Sequence, residues 1–298
     1  MRVTDAQLAE VWDRGWTVVE GFVEPELLEQ ARAGLWRYFP RPEDYFADPE
    51  KHARFSRSQF AGMRYWPYDD WALNALTVHP DLVDAAERFC GTEDIELYKV
   101  ELWAKYAGAI DYDQTPHRDF GNHTLVAPRL DGAMPQMTTF ILLSDVTEVD
   151  APTKLVPLEC SRDVPLMPLH KAAGTFADVE VAATAPAGSM LIYKTDVMHR
   201  GTNFGAPGRS RFVLLADFQK RGWRWQGKMH WANHGMNPAM AEAIVRMTPR
   251  QRDLFGWPPA GSDYWNAQTL ADTAARYPGI DMGPYAGGVP PAVIPAVA

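Results

Sequence analysis

Three short runs do most to limit what this chain can become: Gln-Met-Thr-Thr-Phe-Ile-Leu-Leu-Ser at 136–144, Ser-Met-Leu-Ile-Tyr at 189–193 and Arg-Phe-Val-Leu-Leu-Ala-Asp-Phe at 211–218. Each is rich in β-branched and aromatic residues, each is strand length, and Pro, Gly and Asp punctuate the sequence between them. A fourth segment, Ile95 to Tyr106, alternates loosely. Several short strands separated by turn signals suit an antiparallel sandwich or barrel better than βαβ units. The expectation is a mainly β core over about residues 93–220, with helices flanking it.

The flanks carry the helices. Thr4 or Asp5 caps a short helix ending near Gly15, with Leu8, Val11 and Trp12 on one face. Trp16-Thr17-Val18-Val19 reads as a strand. Pro25 opens the next helix, whose Leu28, Ala31, Leu35 and Phe39 follow helical spacing. Residues 40–70 lack a clear period and read as loop with short turns. A further helix spans about Asp81 to Phe89, and two more run around Pro238–Met247 and Pro249–Phe255. The tail from Gly279, with its Gly-Gly and Pro-Pro pairs, reads as irregular. No repeat or linker divides the chain, so residues 1–298 are expected to form one domain.

Composition narrows the functional classes. The chain is 46% hydrophobic and 22% charged, enough for a substantial core. Its net charge of −9 disfavours nucleic acid and anionic membranes, which call for basic patches. No run of 18 apolar residues is long enough to span a bilayer. The polar start, Met1-Arg2-Val3-Thr4-Asp5, does not resemble a signal segment, so a cytoplasmic location is expected. Two cysteines, Cys90 and Cys160, fit ordinary intracellular thiols.

Chemistry concentrates at Thr115-Pro116-His117-Arg118-Asp119-Phe120. Pro116 favours an extended chain before it. If the chain stays extended, His117 and Asp119 lie at i and i+2 and leave the same face of a strand. An imidazole and a carboxylate side by side make two-thirds of a facial triad, which leaves positions on an octahedral iron open to ligands. The third ligand should be a histidine from a neighbouring strand end. His199 stands out because it closes a strand-like run and precedes Arg200-Gly201-Thr202-Asn203. An arginine then opens the next apolar strand. The far carboxylate of a chelating 2-oxo diacid needs a forked cation, which Arg supplies and Lys does not.

With these residues in place, the chain resembles the phytanoyl-CoA dioxygenase-like branch of the iron(II)- and 2-oxoglutarate-dependent oxygenases. The resemblance runs from Thr4-Asp5-Ala6-Gln7-Leu8 and Gly15–Phe22, through His117-Arg118-Asp119 and Leu142–Glu148, to Gly188–Tyr193, His199-Arg200-Gly201 and the Arg211 strand. It implies a double-stranded β-helix (jelly-roll) core, iron(II) on His117, Asp119 and His199, and 2-oxoglutarate on Arg211, with dioxygen as oxidant. Arg209 competes for that last role, but counting back from Phe218 favours Arg211. Relatives commonly carry Gln where this chain has Arg118, so Arg118 either reaches substrate or 2-oxoglutarate or points away from the metal. The usual Gly-rich turn stands here as Asp150-Ala151-Pro152, and the usual Val-Pro-Gly-Ser-His as Val156-Pro157-Leu158-Glu159-Cys160. Halogenating relatives replace the carboxylate with a small residue; Asp119 therefore implies hydroxylation or another oxidation of a small organic molecule, with release of succinate and CO2. Hydroxylation is the default, while desaturation, epoxidation or ring formation use the same ligands. The branch acts on acyl-CoA thioesters, amino acids, terpenoids and other natural-product intermediates, and the aromatic-rich loops suit an apolar or amphipathic member of that range.

Other candidates are weaker. Thr202 is a donor to the 2-oxoglutarate carboxylate or a plain turn hydroxyl. Lys99, Glu101, Trp103 and Lys105 share one strand face, which lines the cavity or faces solvent. The cavity is preferred, with Lys99 toward the cosubstrate and Trp103 toward the substrate. Arg64, with Tyr65 and Trp66, lies where such enzymes build substrate contacts. His123 reads as surface or hydrogen-bonded. His230 and His234 have a zinc-like i, i+4 spacing but no accompanying general base. The string His117–Gly121 contains two protein-kinase signatures, yet one Asp cannot serve both loops, and no nucleotide loop precedes it. Two readings from other classes remain: a cupin-like metal enzyme that does not use 2-oxoglutarate, and a non-catalytic jelly-roll binding protein.

Overall fold

The strand runs read from the sequence pair with one another as antiparallel neighbours. The computed structural model describes residues 2–58, 60–109, 113–222, 235–236, 238–247, 249, 252 and 257–287. Its larger sheet takes β1 (Trp16–Val19), β2 (Arg64–Tyr65), β3 (Ile95–Tyr106), β4 (Gln136–Leu142), β7 (Met190–Lys194) and β9 (Ser210–Lys220) in the order β1-β7-β4-β9-β3-β2. A smaller sheet orders β6 (Val181–Ala183), β5 (Thr153–Leu155) and β8 (His199–Arg200). Every pairing is antiparallel. This is the mainly β, jelly-roll architecture expected, except that β1 and β2 extend the large sheet beyond the 93–220 core.

Burial on both faces explains why the strands read as continuous apolar runs rather than clean alternation. All seven residues of β4 are buried. One face of the large sheet, carrying Leu102, Ala104, Ile141, Ile192, Phe212 and Leu214, packs on the helices before it. Those are α1 (Asp5–Asp13), α2 (Pro25–Leu35), α3 (Pro42–Ala47), α4 (Trp71–Thr77) and α5 (Pro80–Cys90). The other face, with Trp103, Phe140, Leu191, Val213 and Leu215, shares a core with Leu155 and Ala183 of the small sheet.

Local chemistry accounts for the helix starts. Thr4 and Gln7 form a capping box on α1, and Pro25 sits in the first turn of α2. Asp70 caps α4 by accepting from the Leu73 amide. Residues 40–70 are more regular than expected: α3 and a 3-10 turn at Ala53–Phe55 lie there. Too short for several periods of apolar repeat, α3 leaves little trace in the pattern. Beyond the sheets, α6 (Leu158–Ser161), α7 (Pro238–Arg246) and α8 (Ala267–Arg276) follow. Most of the expected helix at Pro249–Phe255 and the histidines His230 and His234 lie outside the described residues, as do residues 288–298 of the tail. Among the described residues, no helix is long and apolar enough to cross a membrane, and both cysteines are free.

Candidate active site

The two arms of the site meet through a single antiparallel bridge. The His117 amide donates to the His199 carbonyl and the His199 amide to that of His117, both at 2.9 Å. Arg118 between the ligands is extended, so His117 and Asp119 leave the same side as the i, i+2 argument required. Asp119 itself already begins a 3-10 turn, Asp119–Asn122, with its amide still tied to the Thr195 carbonyl. His199 opens the two-residue strand β8 rather than closing a run. One potential ligand atom each from His117, Asp119 and His199 lie within 4.8 Å of one another.

Each imidazole is preset for a metal. Nδ1 of His117 contacts the Thr115 carbonyl at 2.9 Å, and Nδ1 of His199 contacts the Val197 carbonyl at 3.0 Å. A carbonyl can only accept, so the proton sits on Nδ1 and the Nε2 lone pair is left for an ion. Burial, with His199 adding to it, lowers the His117 pKa to about 4, so that ring is neutral at ordinary pH. Burial opposes charge on Asp119, yet the neighbouring imidazoles, His199 foremost, hold its carboxyl well below the usual range. Burial disfavours charge on His199 as well, but the Asp119 carboxylate 3.3 Å from its Nε2 raises its pKa above the usual value, so a metal ion would take the place of the Nε2 proton. Two imidazole nitrogens and one carboxylate then suit a divalent iron with positions left for other ligands.

A cavity of about 340 Å³ opens over this cluster. Lys99, Glu101, Trp103 and Lys105 all line it, on one face of β3 as the alternation indicated. Arg211 lines it too, directly across from Lys105 in the β3–β9 register. Its guanidinium is buried; Nη1 donates to the Ala151 carbonyl, Nη2 lies 3.2 Å from the Thr153 hydroxyl, and Nε is buried with no acceptor. Burial lowers the Arg211 pKa to about 10. A buried cation whose hydrogen-bond partners are neutral is costly unless an anion joins it. Arg209 is spent elsewhere: from an exposed position its fork grips the buried Asp150 carboxylate at 2.6 and 2.9 Å. The turn that replaces the Gly-rich one puts Ala151 at φ 54, with its carbonyl turned toward Arg211.

Of three sequence expectations, the substrate role of Arg64 needs correction, while Arg118 and Thr202 follow the second of the two alternatives given for each. Arg118 is part of the cavity lining, but its guanidinium is turned away from the metal ligands: Nε donates to the Asp196 carbonyl at 2.7 Å, Nη1 to Val164 at 3.0 Å and Nη2 to Ser161 at 2.7 Å. Arg64 pairs with Leu102, whose side chain belongs to the helical core, so the pleat turns Arg64 away from the site, over the Tyr38 ring. The Thr202 hydroxyl donates to the Pro152 carbonyl at 2.7 Å as a turn group and does not line the cavity. His123 is fully buried, its ring 2.8 Å from both the Tyr98 hydroxyl and Lys99 Nζ. A β-bulge between Leu97 and Lys99 re-aims Tyr98 and Lys99 toward it.

Other participants were missed. Phe60, Met63, Leu169, His170 and Met236 line the cavity from loops or short connections that carry no sequence period. Tyr193 donates to Asp119 Oδ2 at 2.9 Å. Its signal was present, since a tyrosine alternating with Leu191 on a buried strand needs a polar partner for its hydroxyl.

A family model described as phytanoyl-CoA dioxygenase (PhyH) matches residues 12–211. No curated protein sequence matches the chain. Among solved structures, it is similar to the non-haem alpha-ketoglutarate-dependent epimerase SnoN from nogalamycin biosynthesis, at 15% identity and TM-score 0.52 over 72% of this chain and 80% of that one. It is similar to EctD from S. alaskensis with 2-oxoglutarate and 5-hydroxyectoine, at 14% identity and TM-score 0.51 over 73% and 76%. EvdO2 from Micromonospora carbonacea var. aurantiaca, complexed with 2-oxoglutarate, gives 13% identity and TM-score 0.54 over 73% and 91%. At such identities the likeness is one of fold.

Proposed function

This chain belongs to the phytanoyl-CoA dioxygenase family of iron- and 2-oxoglutarate-dependent enzymes, and from that premise we propose that it hydroxylates a small organic molecule at the cavity described above. The observation that carries the reading is the pairing of two features across one cavity: a His-Asp-His cluster with both Nε2 lone pairs free to ligate, and the buried Arg211 cation with neutral partners and an orphaned Nε. In this reading His117, Asp119 and His199 hold the iron, and Arg211 receives the far carboxylate of 2-oxoglutarate.

The bound iron, with 2-oxoglutarate and dioxygen, supplies an oxidant able to take hydrogen from an unactivated C–H bond, while 2-oxoglutarate leaves as succinate and CO2. The residues of the chain do the rest. Asp119, held anionic, would offset one charge of the ion, and His117 and His199 would supply its two nitrogen ligands. Phe60, Met63, Trp103, Phe140, Leu169 and Met236 supply apolar surface that excludes water and orients the C–H bond. Lys99 and Glu101, 3.8 Å apart, give the same cavity one ammonium and one carboxylate, which suits an amphipathic substrate.

Anaerobic titration of apo-protein with iron(II) and 2-oxoglutarate tests the reading through the weak visible charge-transfer band of the chelate. The band is expected for wild type, lost in His117→Ala and His199→Ala, and reached only at much higher 2-oxoglutarate in Arg211→Ala. Bound iron with no band would favour the cupin-like alternative; no iron binding would favour a binding protein. Succinate release on adding a small molecule, with one oxygen atom gained by the product, identifies hydroxylation over isomerisation or desaturation.

A further inference from the structure

We infer that Tyr193 is a positioning residue that aims the Asp119 carboxylate at the metal and sets how tightly a divalent ion is held; the inference rests on the reading of Asp119 as a ligand. Asp119 is the weakest anchored of the three. It stands where the extended segment gives way to a 3-10 turn, and its backbone tie to Thr195 is long at 3.3 Å. Both histidines have Nδ1 fixed by a backbone carbonyl. The carboxylate has no backbone partner of that kind. Among the described residues its shortest hydrogen bond comes from the Tyr193 hydroxyl, at 2.9 Å to Oδ2, with the Nε2 atoms of His199 at 3.3 Å, His117 at 3.7 Å and His123 at 4.0 Å around it.

Tyr193 can do this because it is itself immobile. It is fully buried near the end of β7, in register with Trp16 of β1 on one side and Thr138 of β4 on the other. Its ring meets Phe140 edge-on at 5.5 Å and lies 5.1 Å from His199. Burial and the neighbouring carboxylates, Asp119 first, keep the phenol protonated, so the hydroxyl remains a donor. A donor fixed to one carboxylate oxygen occupies a lone pair there and removes the side chain's freedom to swing off the metal. Loss of such an outer partner typically weakens metal binding about 10–100-fold.

Cobalt(II) is a spectroscopic stand-in for iron(II), and its titration into apo-protein reads affinity from the visible d–d bands without turnover. Tyr193→Phe, which keeps the ring packing, is expected to weaken cobalt(II) roughly 10-fold or more and to change the band shape, with the apo melting temperature little altered. Wild-type affinity and an unchanged spectrum in Tyr193→Phe would overturn the inference. Asp119→Ala separates the two claims: if it binds cobalt(II) like wild type, the ligand assignment fails. If it loses binding while Tyr193→Phe does not, only the role of Tyr193 fails. Should Tyr193→Phe not fold, 3,5-difluorotyrosine placed at position 193 keeps the shape and strengthens the donor. A cobalt(II) affinity moved by more than about threefold then supports the bond, and an unmoved one refutes it.

Discussion

Replacing Arg118 by methionine keeps the length of the side chain and removes its guanidinium, and the structure says what that costs. Three carbonyls, on Asp196, Val164 and Ser161, lose donors at 2.7, 3.0 and 2.7 Å in a site only 4% exposed. A buried acceptor left without its partner costs about 1–3 kcal/mol, so three cost about 3–9 kcal/mol. The arginine's own burial, which holds its pKa below the usual value, returns part of that. A net loss of about 3–5 kcal/mol lowers the melting temperature by roughly 8–15 °C in a chain of this size. Arg118→Lys, able to satisfy some of the carbonyls, should fall between. Thermal unfolding of apo-protein followed by circular dichroism measures the loss, and the anaerobic charge-transfer titration shows whether 2-oxoglutarate binding moves with it. An Arg118→Met protein melting within about 2 °C of wild type, yet tenfold weaker for 2-oxoglutarate, would refute the reasoning and return Arg118 to the ligand-binding residues.

Other expectations follow from the same geometry. Arg211→Met should weaken 2-oxoglutarate binding by about 2–4 kcal/mol, whereas Arg209→Ala, which breaks the pair with Asp150 outside the cavity, should change it far less; equal effects in the charge-transfer titration would contradict the assignment. Burial, opposed by Lys99, raises the Asp217 pKa from 3.8 to about 8, so its contribution to stability is present below pH 3.8 and is lost as pH rises through 8. Asp217→Asn should therefore gain in unfolding free energy on wild type as pH rises from 5 to 8, by about 3–4 kcal/mol, and its melting temperature should rise relative to wild type over the same range; parallel curves would argue against a protonated Asp217.

How far the site could be read from the sequence depends on where the physical information lies. The facial triad was legible because its logic is local on each arm: i, i+2 on an extended chain for His117 and Asp119, and a histidine at a strand boundary for His199. Their meeting required only that two antiparallel strands pair, and the bridge between His117 and His199 is that pairing. The alternation of Lys99, Glu101, Trp103 and Lys105 was legible for the same reason, since period 2 assigns one face whatever the partner. Arg64 shows the limit of that logic. Its face depends on its register with Leu102, and nothing in a two-residue strand reveals register.

Arg118 shows a different limit, and a more instructive one for the mechanism. Sitting between two metal ligands, it looks from the sequence like a residue of the chemistry. Pleating forbids this: a residue between two that face the metal must face the other way. What lies on that other side, the carbonyls of Ser161, Val164 and Asp196, comes from segments with no sequence mark of their own. Asp196 leads into His199, and the Arg118 backbone lies between His117 and Asp119, so one guanidinium ties the arm bearing two ligands to the arm bearing the third. Tyr193 does the complementary task on the metal side of the same strand, holding the Asp119 carboxylate that Arg118 leaves untouched. The two side chains approach the His-Arg-Asp segment from opposite faces. Loss of Arg118 should therefore appear first in folding, and loss of Tyr193 first in the affinity for the ion.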